Sequence, residues 1–418
     1  MTLRSNQIAV LAAAIERVRR FDTPADNGLR AYFRANPQMG QQDRALVADV
    51  VFALLRRQRS LIELAQTTEP RKLALAVLVR ELGRSLRDLE PAISKSDADW
   101  LREFKSRLAT ALPDAVAHDL PDWLWAQLGS AYGDEERSAL ARAWLAPAPF
   151  DLRVNPLKVT RDEALAALTA DGLAVTPTPY SPLGIRVAGR PSLAHHPWLE
   201  DGRLEVQDEG SQLIGYAVAP RRTDMVVDFC AGAGGKTLLL GALMRSRGRL
   251  YAFDVQARRL TNLTPRLARS GLSNVQPQLL SGERDQKVKR LAGKIDRVLV
   301  DAPCTGFGTL RRNPDLKWRQ PETAVAELAA KQASILAAAA TVVKPGGRLV
   351  YATCSVLPAE NEVIVADFLA AHPQFSAGNV AADLARAEIP LDTGPMLKLL
   401  PHLHGCDGFF AATLDRAR

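Results

Sequence analysis

A chain of 418 residues is too long for one core of ordinary size and suits two or three domains. Its 47% hydrophobic content and mean hydropathy of -0.09 describe a soluble globular protein. The 54 Lys and Arg against 46 Asp and Glu leave a net charge of +8, which favours a polyanionic partner without requiring one. Four cysteines, at 230, 304, 354 and 406, make neither a disulfide framework nor a CxxC metal pair, so a disulfide-stapled fold is excluded and a reducing, cytoplasmic setting is expected.

From residue 7 to about 145 the apolar residues recur at helical spacing, as in QQDRALVADVVFALLRRQRSLIELA (41–65) and RKLALAVLVRELGRSL (71–86), which predicts an all-helical domain over 1–145. The apolar run from Ile8 to Ile15 is followed by Glu16, Arg17, Arg19 and Arg20 with no cleavage-like stretch, so it reads as one helix face rather than a signal segment. Arg56, Arg57 and Arg59 suit a solvated helix face as well as a surface for RNA. Residues 1–150 hold 21 basic against 19 acidic side chains, so most of the excess positive charge lies beyond them.

Proline punctuation in LAPAPFDLRVNPLKVT (145–160) marks a boundary, and a small α/β region is expected over 146–205. From 206 to 418 the pattern changes to short β-rich apolar runs between helix-like segments: DMVVDF (224–229), GRLYAFD (248–254), IDRVLVDA (295–302) and GRLVYAT (347–353). That alternation predicts a Rossmann-like α/β domain, a doubly wound parallel sheet with helices on both faces. GFFAATL (408–414) supplies a last strand, expected to run antiparallel. The alanine-rich run Ile335 to Val343 is far short of the roughly 20 residues a bilayer demands, so no membrane span is expected.

Ligands of such sheets sit beyond the carboxyl ends of the strands, which directs attention to four loops. The first, FCAGAGGKT (229–237), lets the backbone approach a ligand at a helix N-terminus through Gly232, Gly234 and Gly235. A phosphate-binding GxxxxGK[ST] loop requires glycine at 230, where Cys230 stands, and a GxGxxG fingerprint requires glycine at Thr237. S-adenosylmethionine has no pyrophosphate and is served by the looser loop. Asp254, at the end of the second run, is spaced to accept hydrogen bonds from ribose hydroxyls, or else to cap the following helix.

The third and fourth loops, VDAPCTGFGTLRRNPDLKW (300–318) and YATCSVLPAENE (351–362), each place a cysteine just past a central strand, beside Asp301 and the glycine loop. Thiolates add to electron-poor carbons. Carbon 5 of cytosine is a poor nucleophile until a group adds at carbon 6, and a second thiol helps that group leave once the reaction is done. Asp301 is a candidate to hold charge on the ring nitrogen. In RRNPDLKWR (311–319), Arg311, Arg312 and Lys317 offer phosphate contacts and Trp318 a stacking surface, unless the loop is merely charged and solvated. His195, His196, His402 and His404 lack a cysteine or carboxylate pattern that completes a zinc site, so no metal is expected.

These motifs together resemble the Nol/Nop/Sun family of RNA cytosine-5 methyltransferases, and its bacterial RsmB (Sun) branch most. The resemblance runs through a NusB-like helical part, LRVN (152–155), QDEGSQ (207–212), DAPCTGFGTLRRNPDLKW (301–318), TCSVLPAENE (353–362) and DGFF (407–410). It implies a class I methyltransferase sheet over 206–418, Cys354 as nucleophile and Cys304 as the aid to product release. It further implies that Cys230, Ala231, Gly232, Ala233, Gly234, Gly235, Lys236, Asp254 and Asp301 contact S-adenosylmethionine, with Arg153 and Asn155 near the RNA path. The implied partner is RNA, 16S ribosomal RNA in the RsmB branch, acted on by a monomer. A noncatalytic RNA-binding assembly factor on the same scaffold is the alternative. Two departures bear on cofactor affinity: CAGAGGKT replaces the family's CAAPGGKT, and SGER (281–284) has Gly282 where the family has aspartate, with Asp285 the nearby substitute.

Overall fold

The computed structural model describes residues 3–189, 193 and 195–418. The chain forms two compact units, one of residues up to Pro147 together with Thr309–Glu322, the other of Ala148–Gly308 together with Thr323–Arg418.

The first unit is helical. In helix Ser5–Val18 the buried residues Ile8, Leu11, Ala14, Ile15 and Val18 fall on one stripe, and they join Val47, Leu54, Leu61 and Leu75 in a common core. Stripes of this spacing are why the segment folds as packed helices. Ser94 caps helix Lys95–Arg107 by accepting from the Asp97 N–H at 3.0 Å. The segment 309–322, expected as a surface loop of the catalytic domain, belongs instead to this unit. Lys317 Nζ donates to the Arg56 carbonyl at 2.9 Å and Trp318 Nε1 to the Leu55 carbonyl at 2.7 Å. Arg56 Nη2 returns a bond to the Arg311 carbonyl at 2.9 Å. Arg57 pairs with Glu81 at 2.9 Å and Arg59 with Asp122 at 2.8 Å.

The second unit holds two sheets. Strands β1 (Phe150–Val154), β2 (Val175–Pro177), β3 (Gly184–Val187) and β4 (Leu204–Val206) form a small antiparallel sheet in the order β2-β3-β1-β4. Helix Arg161–Ala170 lies between β1 and β2 in sequence and buries Ala164 and Leu168 in the same core as Leu152 and Ile185.

The large sheet runs β10-β12-β9-β8-β5-β6-β7, with β11 paired to β12. Its strands are β5 (Met225–Asp228), β6 (Arg249–Asp254), β7 (Val275–Leu279), β8 (Ile295–Asp301), β9 (Val343–Thr353), β10 (Phe375–Ala377), β11 (Leu397–Leu399) and β12 (Phe409–Arg416). Strands β7, β6, β5, β8 and β9 are parallel, and β12 runs antiparallel to β9, pairing Phe410 with Thr353. Alternation along the strands feeds two cores: Val298, Val300 and Tyr351 face one layer of helices, Leu299, Val350 and Ala352 the other. The Rossmann-like expectation therefore stands. Strand β7 was not among the expected strands; it pairs with β6 at the sheet edge with three of its five residues exposed, and an edge is where proline is tolerated in a sheet. The order of strands reverses between β5 and β8, which opens a crevice beyond Asp228 and Asp301.

Among the described residues no helix is long and apolar enough to cross a membrane.

Candidate functional site

A cleft of about 720 Å³ opens at that crevice, lined by Ala231–Ala233, Gly235 and Lys236 from the glycine loop, Asp254 and Val255 after β6, Leu280–Glu283 after β7, Asp301–Cys304 after β8, and Cys354 after β9. The size suits a ligand of nucleoside dimensions.

The glycine loop is held from three sides. Asp254 Oδ2 accepts from the Gly232 N–H at 2.9 Å, while its Oδ1 accepts from the Gln256 N–H at 2.7 Å. Helix Ala257–Ser270 begins behind Gln256, so Asp254 is not its N-cap. Each Asp254 oxygen still has a lone pair to offer the cleft. From helix Ala257–Ser270, Arg266 Nη1 donates to the Ala233 carbonyl at 2.6 Å and is fixed by Glu205 at 2.8 Å. From β1, Arg153 Nη1 donates to the Gly235 carbonyl at 2.7 Å and also to Gln207. Gly234 sits at φ +87°, where a Cβ would strike Leu263 Cδ1 at 2.1 Å, so backbone conformation and packing both demand glycine there.

Lys236 emerges from the first turn of helix Gly235–Leu243 with Nζ 2.7 Å from Asp301 Oδ2 and 5.4 Å from the Phe409 ring centre. Burial works against its ammonium, but the Asp301 carboxylate together with Cys354 and Asp228 more than offsets it, and its pKa ends above the ordinary lysine value. Asp228, the last residue of β5, is 1% exposed; one oxygen accepts from Thr237 Oγ1 at 2.6 Å and the other meets no donor. Burial drives its carboxyl up to about 7, against the pull of Thr237 and with the neighbouring Asp301 charge adding.

That shift sets a stability window. A raised carboxyl contributes stability in full below its unfolded value and loses it as pH climbs through the folded one, here from about 4 to about 7. Asp228→Asn is neutral at every pH and should melt increasingly above wild type as pH is raised from about 5 to about 8. Parallel melting curves across that range would show that the buried carboxyl does not titrate as its surroundings dictate.

Beyond β8 and β9 the two sulfurs meet: Cys304 Sγ lies 3.4 Å from Cys354 Sγ, and both line the cleft. The hydrogen bond to Cys354, then burial, pushes the Cys304 thiol well above the ordinary cysteine value. Burial with the charges of Asp228, Asp301 and Asp254 does the same to Cys230. The loop carrying Cys304 is tied to the next by the Gly308 N–H, which donates to the Cys354 carbonyl at 2.9 Å.

Several expected site residues have other work. Asn155 is buried, its amide donating to the Gly202 carbonyl at 3.0 Å and the Ser270 carbonyl at 2.9 Å, and Arg153 is spent on the glycine loop. Both are buried and hold protein segments together. Lys317 is 2% exposed in the helical unit, where burial pulls its pKa to about 7, against the charge of Asp119. Arg311 is buried there too, while Arg312 and Trp318 are half-buried. Long cationic side chains in RRNPDLKWR read as a phosphate surface, but Lys317 is spent on the Arg56 carbonyl at a helix end and Arg319 on Asp315. Asp285 caps helix Gln286–Arg290, accepting from the Ser281 and Lys287 N–H groups at 2.8 Å, and does not line the cleft; Gly282 and Glu283 do. Sequence reasoning missed Asp228, recognisable in principle as an acid closing a strand, and Arg266, which carries no local signal. Among the described residues no cluster suited to a metal ion is found.

Comparison with known proteins agrees with this geometry. A family model described as 16S rRNA methyltransferase RsmB/F matches residues 215–415, and a model of an RsmF/B-like ferredoxin-like domain matches residues 120–193. The probable ribosomal RNA small subunit methyltransferase B of Synechocystis sp. is 36% identical over 302 residues, covering 72% of this chain and 67% of that protein. Its counterpart in Bacillus subtilis is 32% identical over 319 residues, covering 76% and 70%. The crystal structure of PH0851 matches over 100% of both chains with a TM-score of 0.80 at 24% identity, a likeness of fold.

Proposed function

The chain belongs to the RsmB/F family of 16S rRNA methyltransferases, whose methyl donor is S-adenosylmethionine, and from that premise we infer that it methylates carbon 5 of a cytosine in 16S ribosomal RNA through a covalent bond from Cys354. The observation that carries this reading is the pair of sulfurs 3.4 Å apart at the cleft.

The cleft's chemistry fits the donor. Asp254 has lone pairs for a ribose diol, the loop 230–236 admits close backbone approach, and Asp301 sets a negative charge where a sulfonium would lie. Bound there, S-adenosylmethionine supplies an electrophilic methyl group. The protein must make carbon 5 a nucleophile. Cys354, as thiolate, forms a bond to carbon 6 while the displaced ring electrons take up a proton from water at the ring nitrogen, which leaves a neutral enamine that is nucleophilic at carbon 5. Asp301, held by Lys236, supports this step by accepting a hydrogen bond from the protonated ring nitrogen, which gives that proton up again when the product leaves. After methylation a base removes the proton from carbon 5; that bonding pair restores the 5,6 double bond and expels the Cys354 sulfur. Cys304, beside it, assists the expulsion. A paired or stacked cytosine is out of reach of a thiol, so the target base must be unpaired or flipped out of the helix.

Incubating the chain with deproteinised 16S rRNA and methyl-labelled S-adenosylmethionine, then digesting to nucleosides, should put the label in 5-methylcytidine, with bisulfite sequencing locating one position. Label in another nucleoside would sink the cytosine-5 reading.

A further inference from the structure

Glu360 has no place in the chemistry above, yet it is wholly buried between the two sulfur-bearing loops. Its Oε1 accepts from the Thr305 N–H at 2.8 Å and from Gln332 Nε2 at 3.0 Å, and its Oε2 accepts from the hydroxyls of Thr305 and Ser355. Four donors on two oxygens is the full capacity of a carboxylate. Thr305 immediately follows Cys304, and Ser355 immediately follows Cys354. The brace continues on the far side of Cys304, where Gln332 Nε2 also donates to the Pro303 carbonyl at 3.0 Å. Tyr351 fixes the brace itself, its hydroxyl donating to the Glu360 carbonyl at 2.6 Å.

A buried carboxylate is costly unless every lone pair is matched, so a side chain held this way has one low-energy position and imposes it on its donors. An amide in its place must point an N–H₂ group at two of those donors. We propose that Glu360 is a positioning residue that sets the distance between the sulfurs of Cys304 and Cys354 by bonding the residue after each. The proposal rests on the two-sulfur reaction for its catalytic consequence, but not for its geometry.

The geometry is tested without turnover. A bromobimane with two reactive methylenes becomes strongly fluorescent only when both have alkylated thiols, and digestion with mass spectrometry identifies a bridge between the peptides of Cys304 and Cys354. In full-length Glu360→Gln the bridging rate should fall about tenfold, with affinity for S-adenosylmethionine kept within about threefold. Ser355→Ala removes one donor and should give a smaller fall in bridging; it decides the matter alone where Glu360→Gln does not fold. Bridging at the wild-type rate in the folded variants overturns the proposal. So does a loss of cofactor affinity in step with bridging, which marks general unfolding of the site.

Single turnover with 16S rRNA supplies the second arm: adduct should accumulate relative to released product in Glu360→Gln, and an unchanged ratio counts against the proposal. If wild type forms no adduct at all, the two-sulfur reaction fails while the bridging result still decides the role of Glu360.

Discussion

Cys354→Ala should abolish methylation, by about 10⁴-fold or more, because the other two thiols lining the cleft, Cys304 and Cys230, are both pushed above the ordinary cysteine value and so are poor nucleophiles. Cys230 is no substitute, since burial and three nearby carboxylates hold its thiol protonated. Cys304→Ala should behave differently. Attack and methyl transfer remain possible, but the sulfur 3.4 Å from Cys354 that helps the adduct collapse is gone. Covalent protein–RNA complex should then build up as a slowed band on a denaturing gel, dependent on S-adenosylmethionine, while multiple turnover fails. The double variant should form no band. The opposite pattern, adduct with Cys354→Ala and none with Cys304→Ala, would reverse the roles of the two thiols.

The cysteines were legible because each closes a short apolar run with strong strand character, VLVDAPC and LVYATC, and such runs end at the ligand edge of a parallel sheet. Glycine spacing around 232–235 was equally plain. What the sequence hid were bonds between distant segments. Nothing local distinguishes Arg153, which supports the glycine loop, from Arg311, which lies in the helical unit, because a guanidinium suits a buried carbonyl as well as a phosphate. Glu360 looks like an ordinary acid in PAENE until Thr305 and Ser355 are brought to it by β8 and β9. Lys317 shows the same limit from the other side: a lysine between leucine and tryptophan reads as surface, whereas the fold matches its ammonium to the Arg56 carbonyl and buries the rest. Periodicity reports which face a segment buries, not which polar atom it will meet there.

Lys236→Met should lower the rate of adduct formation by about 100-fold and raise the Kd for S-adenosylmethionine much less, provided Lys236 acts chiefly on the reacting groups. The ammonium is the partner of Asp301 at 2.7 Å, and its charge also interacts with Cys354 and Asp228. Without it Asp301 loses its counter-ion in a pocket that already holds Asp228 and Asp254. Asp228 should be driven above its value of about 7 once the lowering influence of Lys236 is removed. Lys236→Arg keeps the charge but brings a planar fork to a site shaped for one compact ammonium, and should recover only part of the activity. If Lys236→Met instead weakened cofactor binding as much as it slowed the adduct, the lysine would belong to the cofactor site alone, and the link from Lys236 through Asp301 to the base would be broken.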